Sequence, residues 1–367
     1  MTSLVIGGGL AGAGVAIRLA QAGREVVLLE REAGAHDKVC GEFLSFEAVD
    51  SLRALGLEPL ALGAVAIQSL DVCVGGRRSR SALPFPALSL SRRVLDEALL
   101  ARAAAAGAQV RRGVRATGAG RLGAGWTVRT TLGDMPASEV FLATGKHDLK
   151  GAGRPPGRQN DLVGFKLHLK LAKPLGAQVE LHLFGGGYAG LEPVENGVAN
   201  LCLVVRKSVL AAAGGSWDAL LTGLRRQSPH LEARLDGATP LSRRPLAIAA
   251  IPYGYIRTSS DGLWRLGDQA AVIPSFAGEG MAIALRSARL AADFALAGRT
   301  PDAFQRALAG ELRAQVGRAT LVSRMIVTPL GPAVTSAALT VAPGLAVMLA
   351  RGTRLKGAAL NRSGISG

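Results

Sequence analysis

The first thirty residues constrain the fold more tightly than any other stretch. Leu4-Val5-Ile6 runs into Gly7-Gly8-Gly9-Leu10-Ala11-Gly12, a helix-like segment reaches Gly23, and Val26-Val27-Leu28-Leu29 ends in Glu30. Gly7, Gly9 and Gly12 satisfy GxGxxG, with Ala16 four positions further on. The order is buried strand, tight turn, helix and second strand, the unit that brings backbone amides and a helix N-terminus to a pyrophosphate. Gly7 permits the turn, Gly9 admits the phosphate, and Gly12 and Ala16 let the helix lie close to the sheet. Glu30, eighteen residues after Gly12, puts a carboxylate where it accepts hydrogen bonds from an adenosine ribose and repels a 2′-phosphate. A dinucleotide site is expected, and the motif by itself admits NAD or FAD.

A chain of 367 residues that is 49% hydrophobic can bury a large core and is expected to hold two intimately packed lobes. Its formal charge of +16 favours anionic partners or surfaces. The arginines are nevertheless scattered through Ala/Gly-rich sequence, with no basic run, interleaved aromatics or zinc-finger spacing, so nucleic acid is not an expected partner. Cys40, Cys73 and Cys202 lie far apart without a CxxC. That argues against a disulfide framework or a metal site and for a reducing, cytoplasmic setting. The apolar N-terminus lacks a basic leader and is interrupted by Arg18 and Glu25, as expected of a nucleotide-binding unit rather than a signal peptide.

Residues 1–160 read as the first part of the nucleotide lobe, with a strand insertion at about 60–90 that turns at Gly75-Gly76. Ser45 is a candidate N-cap for a helix running to Gly56, and Ser91 for a second helix ending at Gly107. Hairpin-like strands are expected around Gln109–Arg112 and Trp126–Thr131, and a buried strand over Val140–Ala143 ends in a turn at Gly145. From residue 161 to 260 the texture changes. Val163, Phe165, Leu167, Leu169 and Leu171 alternate with Lys166, His168 and Lys170, and Val179, Leu181 and Leu183 with Glu180 and His182. This is the period of a half-exposed antiparallel sheet, with Lys166, His168 and Lys170 on its solvated face. Asn196-Gly197 marks a hairpin. The segment carries no cofactor signature and is the expected substrate lobe.

At 261–300 the chain returns to the first lobe, and 301–367 forms a helical, partly apolar tail. Leu263-Trp264-Arg265-Leu266-Gly267-Asp268 reads as a strand ending in an acid, followed by Pro274 and Ala277-Gly278-Glu279-Gly280-Met281 at a helix start. Here the sequence resembles the FAD-dependent family that includes the aromatic-ring hydroxylases of the para-hydroxybenzoate hydroxylase fold and the geranylgeranyl reductases. The resemblance covers about residues 1–300. It implies an α/β protein in which a Rossmann-like FAD-binding domain is interleaved with a mostly antiparallel β-sheet substrate domain. It also implies that Gly267 and Asp268 reach the ribityl chain, that Pro274, Gly278 and Gly280 lie beside the flavin ring and pyrophosphate, and that Arg92, in an Arg-x-x-x-Asp helix with Asp96, reaches the cofactor. The implied cofactor set is Gly7, Gly9, Gly12, Glu30, Arg31, Cys40, Gly41, Arg92, Gly145, Gly267, Asp268, Pro274, Gly278, Glu279, Gly280 and Met281, with NAD(P)H as reductant. Glu30 then reports on the FAD ribose and not on NADH against NADPH.

Two reactions compete. Cys40-Gly41-Glu42 stands where geranylgeranyl reductases carry Cys-Gly-Gly, and Gly278-Glu279-Gly280 is also closer to them. Their Tyr-x-Trp-x-Phe-Pro element departs here to Tyr188-Ala189-Gly190-Leu191-Glu192-Pro193. The halogenases' paired tryptophans and lysine motif are absent, and the hydroxylases' Asp-Gly motif is replaced by Ala143-Thr144-Gly145-Lys146-His147-Asp148. The leading expectation is an NAD(P)H- and O₂-dependent monooxygenase of an apolar aromatic or polyketide-like molecule, in the manner of a bacterial subgroup associated with secondary metabolism. The alternatives are a geranylgeranyl-reductase-like double-bond reductase of a lipid or isoprenoid and a non-catalytic flavin-binding protein. Either chemistry needs a dry apolar pocket, for which Phe43, Phe165, Leu167, Tyr188, Pro252, Tyr253 and Phe276 are candidate liners. Cys40, Glu42 and Glu279 are the candidate catalytic groups. Met325–Ala350 carries no charge, but Pro329, Pro332, Pro343 and Gly344 interrupt it. Short helices closing over the pocket, or a peripheral membrane contact, fit it better than a span.

Overall fold

The computed structural model describes residues 2–341 together with 352 and 354. Its first half comprises β1 (Thr2–Ile6), α1 (Leu10–Gln21), β2 (Glu25–Glu30), β3 (Phe43–Leu44), α2 (Phe46–Arg53), β4 (Val65–Val74), β5 (Arg77–Ser89), α3 (Arg92–Ala105), β6 (Gln109–Arg112), β7 (Ala116–Leu122), β8 (Gly125–Thr130), β9 (Gly133–Ala137) and β10 (Glu139–Leu142). The second half comprises β11 (Leu162–Lys170), β12 (Gln178–Phe184), β13 (Gly187–Pro193), β14 (Ala199–Arg206), α4 (Lys207–Ala212), α5 (Trp217–Gln227), α6 (Pro229–Leu235), β15 (Thr239–Pro240), β16 (Leu246–Ala249), β17 (Trp264–Arg265), α7 (Gly280–Leu296), α8 (Pro301–Ile326) and α9 (Gly331–Val341).

A parallel sheet in the order β17-β10-β1-β2-β6 forms the first layer. Its central strands β10, β1 and β2 are largely apolar because both faces are covered, whereas the edge strand β6 is polar. Val5, Leu28 and Phe141 pack with α1, α3 and α7, whereas Leu4, Ile6, Val27 and Leu29 pack on Trp126 and Val128 of the small β7-β8-β9 sheet. Small residues set the helix spacing: a Cβ at Gly14 would lie 3.2 Å from Ala288 Cβ on α7. Gln109–Arg112 is therefore no hairpin partner of Trp126–Thr131. It is the parallel edge strand β6 on β2, and Gly125–Thr130 pairs with β7 and β9.

The second sheet has nine strands in the path β15-β11-β14-β13-β12-β4-β5-β3, with β16 beside β11. Neighbours on the path run antiparallel except for β12 with β4. The expectation of a half-exposed sheet is corrected here. Phe165, Leu167, Leu191, Leu201 and Leu203 are covered by Leu220 and Leu224 of α5 and Leu231 and Leu235 of α6. On the opposite face Lys166 is 2% exposed and His168 half-buried, while Lys170 at the strand end is exposed as expected. Glu180 and His182 are also buried, with Arg234 of α6 pairing Glu180 at 2.6 Å. Alternation here separates two buried environments, one apolar and one containing paired charges.

Ser91 caps α3 by accepting from the Val94 amide at 3.2 Å, and Ser45 precedes α2 without a side-chain cap bond. Among the described residues no helix is long and apolar enough to cross a membrane. Pro343, Gly344 and the rest of 342–350 lie outside the described residues. Ser91→Ala is expected to cost about 1 kcal/mol. Denaturant unfolding checks this, and an unchanged midpoint would deny the cap its role.

Candidate active site

The β1–α1 turn sits at the C-terminal edge of the parallel sheet, where β2 and β10 flank β1 on opposite sides. Close approach explains its glycines. A Cβ at Gly12 would lie 1.8 Å from the Gly7 carbonyl oxygen, and one at Gly7, with φ at +107°, would lie 2.5 Å from Ala143 O. No side chain caps the N-terminus of α1, where Gly9 is the N-cap. The Arg92 guanidinium and the Lys38 ammonium would lie 3.1 and 3.5 Å from a Cβ at Gly9. Glu30 Oε2 accepts from the Gly8 amide at 2.8 Å. The N-terminus of α7, after Gly278 at φ +69°, likewise has no side-chain cap, and nothing lies within 4 Å of a Cβ at Gly280. Two uncapped helix N-termini, the first flanked by cations, thus meet one space, the donor set a pyrophosphate and an electron-rich ring edge require. The residues fit a dinucleotide cofactor.

That space is a cavity of about 770 Å³ running from the turn to the antiparallel sheet. Gly7, Gly9, Glu30, Arg31 and Arg92 line one end, and Cys40, Gly41, Gly145, Gly267, Asp268, Gly278, Gly280 and Met281 continue it. Asp268 receives Lys146 Nζ at 3.1 Å. Burial works against the Lys146 charge, but the Asp268 carboxylate outweighs it and holds the pKa above its ordinary value. Gly12 supports the turn from behind, while Pro274 and Glu279 are outside the lining; Glu279 is buried and has its own partner.

At the far end, three cross-strand rows grade from polar to apolar. His168, Asn200 and Glu192 form the first, Lys166, Cys202 and Gly190 the second, and Gly164, Val204 and Tyr188 the third. Leu181, Leu183 and Val72 extend the apolar part, with Phe43, Tyr253 and Phe276 nearby. Tyr188 and Tyr253 both hydrogen-bond Ser275 Oγ, at 2.8 and 2.9 Å. Phe165 and Leu167 do not reach the cavity. Their parity on β11 turns them toward α5, where Phe165 packs on Trp217 with ring centres 5.3 Å apart. Pro252 is also outside the lining and lies against Gly157.

Glu42 closes the polar end. It is buried, at φ +64°, in the left-handed region that favours glycine. Its Oε1 accepts from Lys166 Nζ and from the Arg92 amide at 2.7 Å, and its Oε2 meets His168 Nε2 at 2.8 Å. Burial would raise its pKa, but the His168 hydrogen bond and the Lys166 charge outweigh burial and hold it below the ordinary range. Asp37, Glu42 and His168 bring ligand atoms within 4.8 Å of one another, yet the Lys166 ammonium already supplies the cation Glu42 faces. Glu192 differs. Its carboxyl is pushed well above the usual range by burial and then by the Glu42 charge, and its Oε2 has no hydrogen-bond partner. Cys40 lines the cavity, its backbone oxygen accepting from Asn200 Nδ2 at 3.1 Å. Burial, followed by Cys40, pushes the Cys202 thiol up to about 12. Asn200 and Glu192 were not among the expected site residues, and Lys166 and His168 were read as a solvated face rather than as a substrate anchor; the shared parity of Tyr188, Gly190 and Glu192 was the one signal for Glu192.

The fold and cavity define a dinucleotide-dependent α/β protein with a second, antiparallel sheet over its cofactor crevice. Residues 1–134 match the family described as FAD binding domain. The menaquinone reductase of Mycolicibacterium smegmatis is 28% identical over 321 residues, 82% of this chain and 77% of that protein. Digeranylgeranylglycerophospholipid reductase 2 of Methanopyrus kandleri is 28% identical over 311 residues, 80% of this chain and 76% of that one. Among solved structures, the myxobacterial chondrochloren halogenase CndH aligns with a TM-score of 0.78 at 20% identity, covering 97% of this chain and 91% of its own. The flavin-dependent brominase Bmp2 aligns at 0.77 and 18% identity, covering 96% and 93%; at these identities the likeness is one of fold. Residues 1–134 thus carry an FAD binding domain, and the chain is similar over about four fifths of its length to two named reductases and in fold to FAD-dependent halogenases.

Asp268→Ala is expected to lower the FAD content of purified protein, read as the ratio of flavin to protein absorbance; full occupancy would remove its assigned role. Lys166→Met leaves Glu42 buried without its ammonium and is expected to cost about 3–5 kcal/mol near neutral pH. Because Glu42 is held below its unfolded pKa, the pair stabilises the fold above the ordinary carboxylate range and is lost as pH falls. The gap between wild type and variant in unfolding free energy should therefore shrink on acidification, and a constant gap would contradict this account.

Proposed function

We propose that the chain is an FAD-dependent double-bond reductase of an isoprenoid-type lipid. The observation that carries this reading is the cavity itself: past the cofactor cradle it becomes an aliphatic chamber walled by Leu70, Val72, Leu181, Leu183, Ile248 and Ile251. Branched aliphatic walls suit a branched hydrocarbon chain, with burial contributing about 0.8 kcal/mol per CH₂. The two relatives similar over about four fifths of the chain are named reductases of a menaquinone and of a digeranylgeranyl lipid, which supports reduction of an isoprenoid-bearing substrate. Reduced by NAD(P)H, the bound flavin supplies the hydride. The protein's own part is to bind, to exclude water and to orient: the α1 and α7 termini hold the cofactor, Tyr188, Tyr253 and Ser275 fix one wall, and the aliphatic rows align the substrate.

Val322, Ile326 and Thr335 line the cavity, while Leu321, Met325, Leu330 and Val334 on the same helical tail are exposed. This arrangement supports a tail that meets a bilayer and draws an apolar substrate from it. The hydroxylase reading is the principal competitor, and oxygen separates the two. FAD-loaded protein reduced anaerobically by NADH or NADPH should convert geranylgeraniol to a product heavier by H₂, and a short-chain menaquinone to one that stays heavier by H₂ after its quinol is reoxidised in air, both seen by mass spectrometry. Turnover only with O₂, with oxygen incorporated, would overturn the reductase reading in favour of the monooxygenase; reducible flavin that turns over neither probe nor an aromatic panel would favour a non-catalytic flavoprotein.

A further inference from the structure

We infer that Glu192 is the proton donor of this cavity, the acid that delivers H⁺ to the second carbon of the double bond. The inference rests on the reductase reading, and its geometry stands apart from the cofactor cradle. Glu192 lines the cavity from β13 on the same face as Tyr188 and Gly190. Gly190 has no side chain, so a substrate can lie along the sheet between the Tyr188 ring and the Glu192 carboxyl. Across from it, a Cβ at Gly41 would lie 3.6 Å from Glu192 Oε1, so the carboxyl also borders the Cys40-Gly41-Glu42 segment.

The groups facing Glu192 explain why it keeps a proton while its neighbour does not. From the 40–42 segment come Cys40 and the ionised Glu42, from β11 Lys166, from β14 Asn200 and Cys202, and from β5 Ser89. Lys166 pairs with Glu42, and His168 lies between Glu42 and Asp37. Glu192 is left 5% exposed beside Asn200 and Ser89, whose side chains donate to the Cys40 and Glu42 backbone oxygens, and its Oε2 is unpartnered. Two neighbouring carboxyls with opposed environments are the arrangement that yields one fixed anion and one acid. The other hydroxyl acids of the wall, Tyr188 and Tyr253, are tied to Ser275.

The step balances. The alkene takes a hydride, with its electron pair, from the reduced flavin at one carbon and a proton from Glu192 at the other; the π bond and the carboxyl O–H bond break, two C–H bonds form and the flavin is oxidised. The Glu192 carboxylate then regains its proton from water. A second pocket of about 250 Å³, lined by Asp37, Lys166, His168 and Glu195, lies on the outer side of Lys166 and His168. Asp37 lines both pockets, and its Oδ1 lies 3.7 Å from His168 Nδ1.

The test uses the FAD-loaded full chain, short-chain menaquinone or geranylgeraniol as probe, and Glu192→Gln, which keeps the side-chain shape. FAD content and flavin reduction by dithionite should match wild type, while alkene reduction falls about 100-fold or more. The wild-type rate should decline at high pH as the acid ionises, the Gln variant's residual rate should be flat, and Glu192→Asp should recover part of the loss. A readout independent of turnover is the infrared carboxylic C=O stretch of the oxidised protein, present in wild type and missing from Glu192→Gln. The sign for stability agrees: a carboxyl neutral in the fold and ionised in the unfolded chain makes wild type lose stability relative to Glu192→Gln as pH rises from about 4 to 7. An unchanged alkene rate in Glu192→Gln, or no protonated-carboxyl band in wild type, overturns the donor assignment and leaves the reductase reading standing. No turnover by wild type overturns that reading, and the donor role with it.

Discussion

The Glu42–Lys166 ion pair is the contact on which the arrangement of the two sheets depends. Glu42 belongs to the connection leaving the nucleotide-binding unit, Lys166 to the middle of the antiparallel sheet, and the Arg92 amide that also binds Glu42 to the first turn of α3. One carboxylate thus ties the segment after β2, the substrate sheet and the helix whose arginine flanks Gly9. Burying such a pair is costly unless its remaining hydrogen-bond capacity is filled. Here both carboxylate oxygens are engaged, and the α3 terminus adds a favourable dipole. Geometry at the flavin end of the cavity is therefore fixed by a contact at its polar end.

The two uncapped helices complete the division of labour. A side-chain cap at Gly9 or Glu279 would satisfy the first-turn amides and remove them from ligand binding. α1 and α7 leave them available, and their close packing through alanines and glycines points both termini into one crevice. The apolar chamber beyond offers no such donors, so the cavity sorts its occupants: charge and phosphate at the turn, hydrocarbon against Leu181 and Leu183, and the exchangeable proton at Glu192.

Much of the cofactor half was legible in the sequence because glycine spacing reports backbone constraints directly. Gly7 and Gly12 cannot carry a Cβ, and Gly278 takes a positive φ. The substrate half was less legible for a definite reason. Alternation on β11 tells which residues share a face and not which face meets water. A strand carrying Lys166 and His168 between leucines looks half-solvated, yet the charges are the buried face that meets Glu42, and Phe165 and Leu167 are turned to α5. Gln109–Arg112 was misread for a related cause: four residues declare a strand but not its partner. Glu192 escaped because a single acid in a β-strand becomes chemistry only when the fold withholds a cation from it.

Glu42 occupies a backbone conformation that suits glycine, at about 1–2 kcal/mol of strain. Glycine at this position would relax the backbone and strand the Lys166 ammonium inside the protein, and a change at Lys166 alone would strand the carboxylate. The strained backbone is therefore held in place by an electrostatic partner more than a hundred residues away, and the two side chains form one unit of substitution as well as of structure.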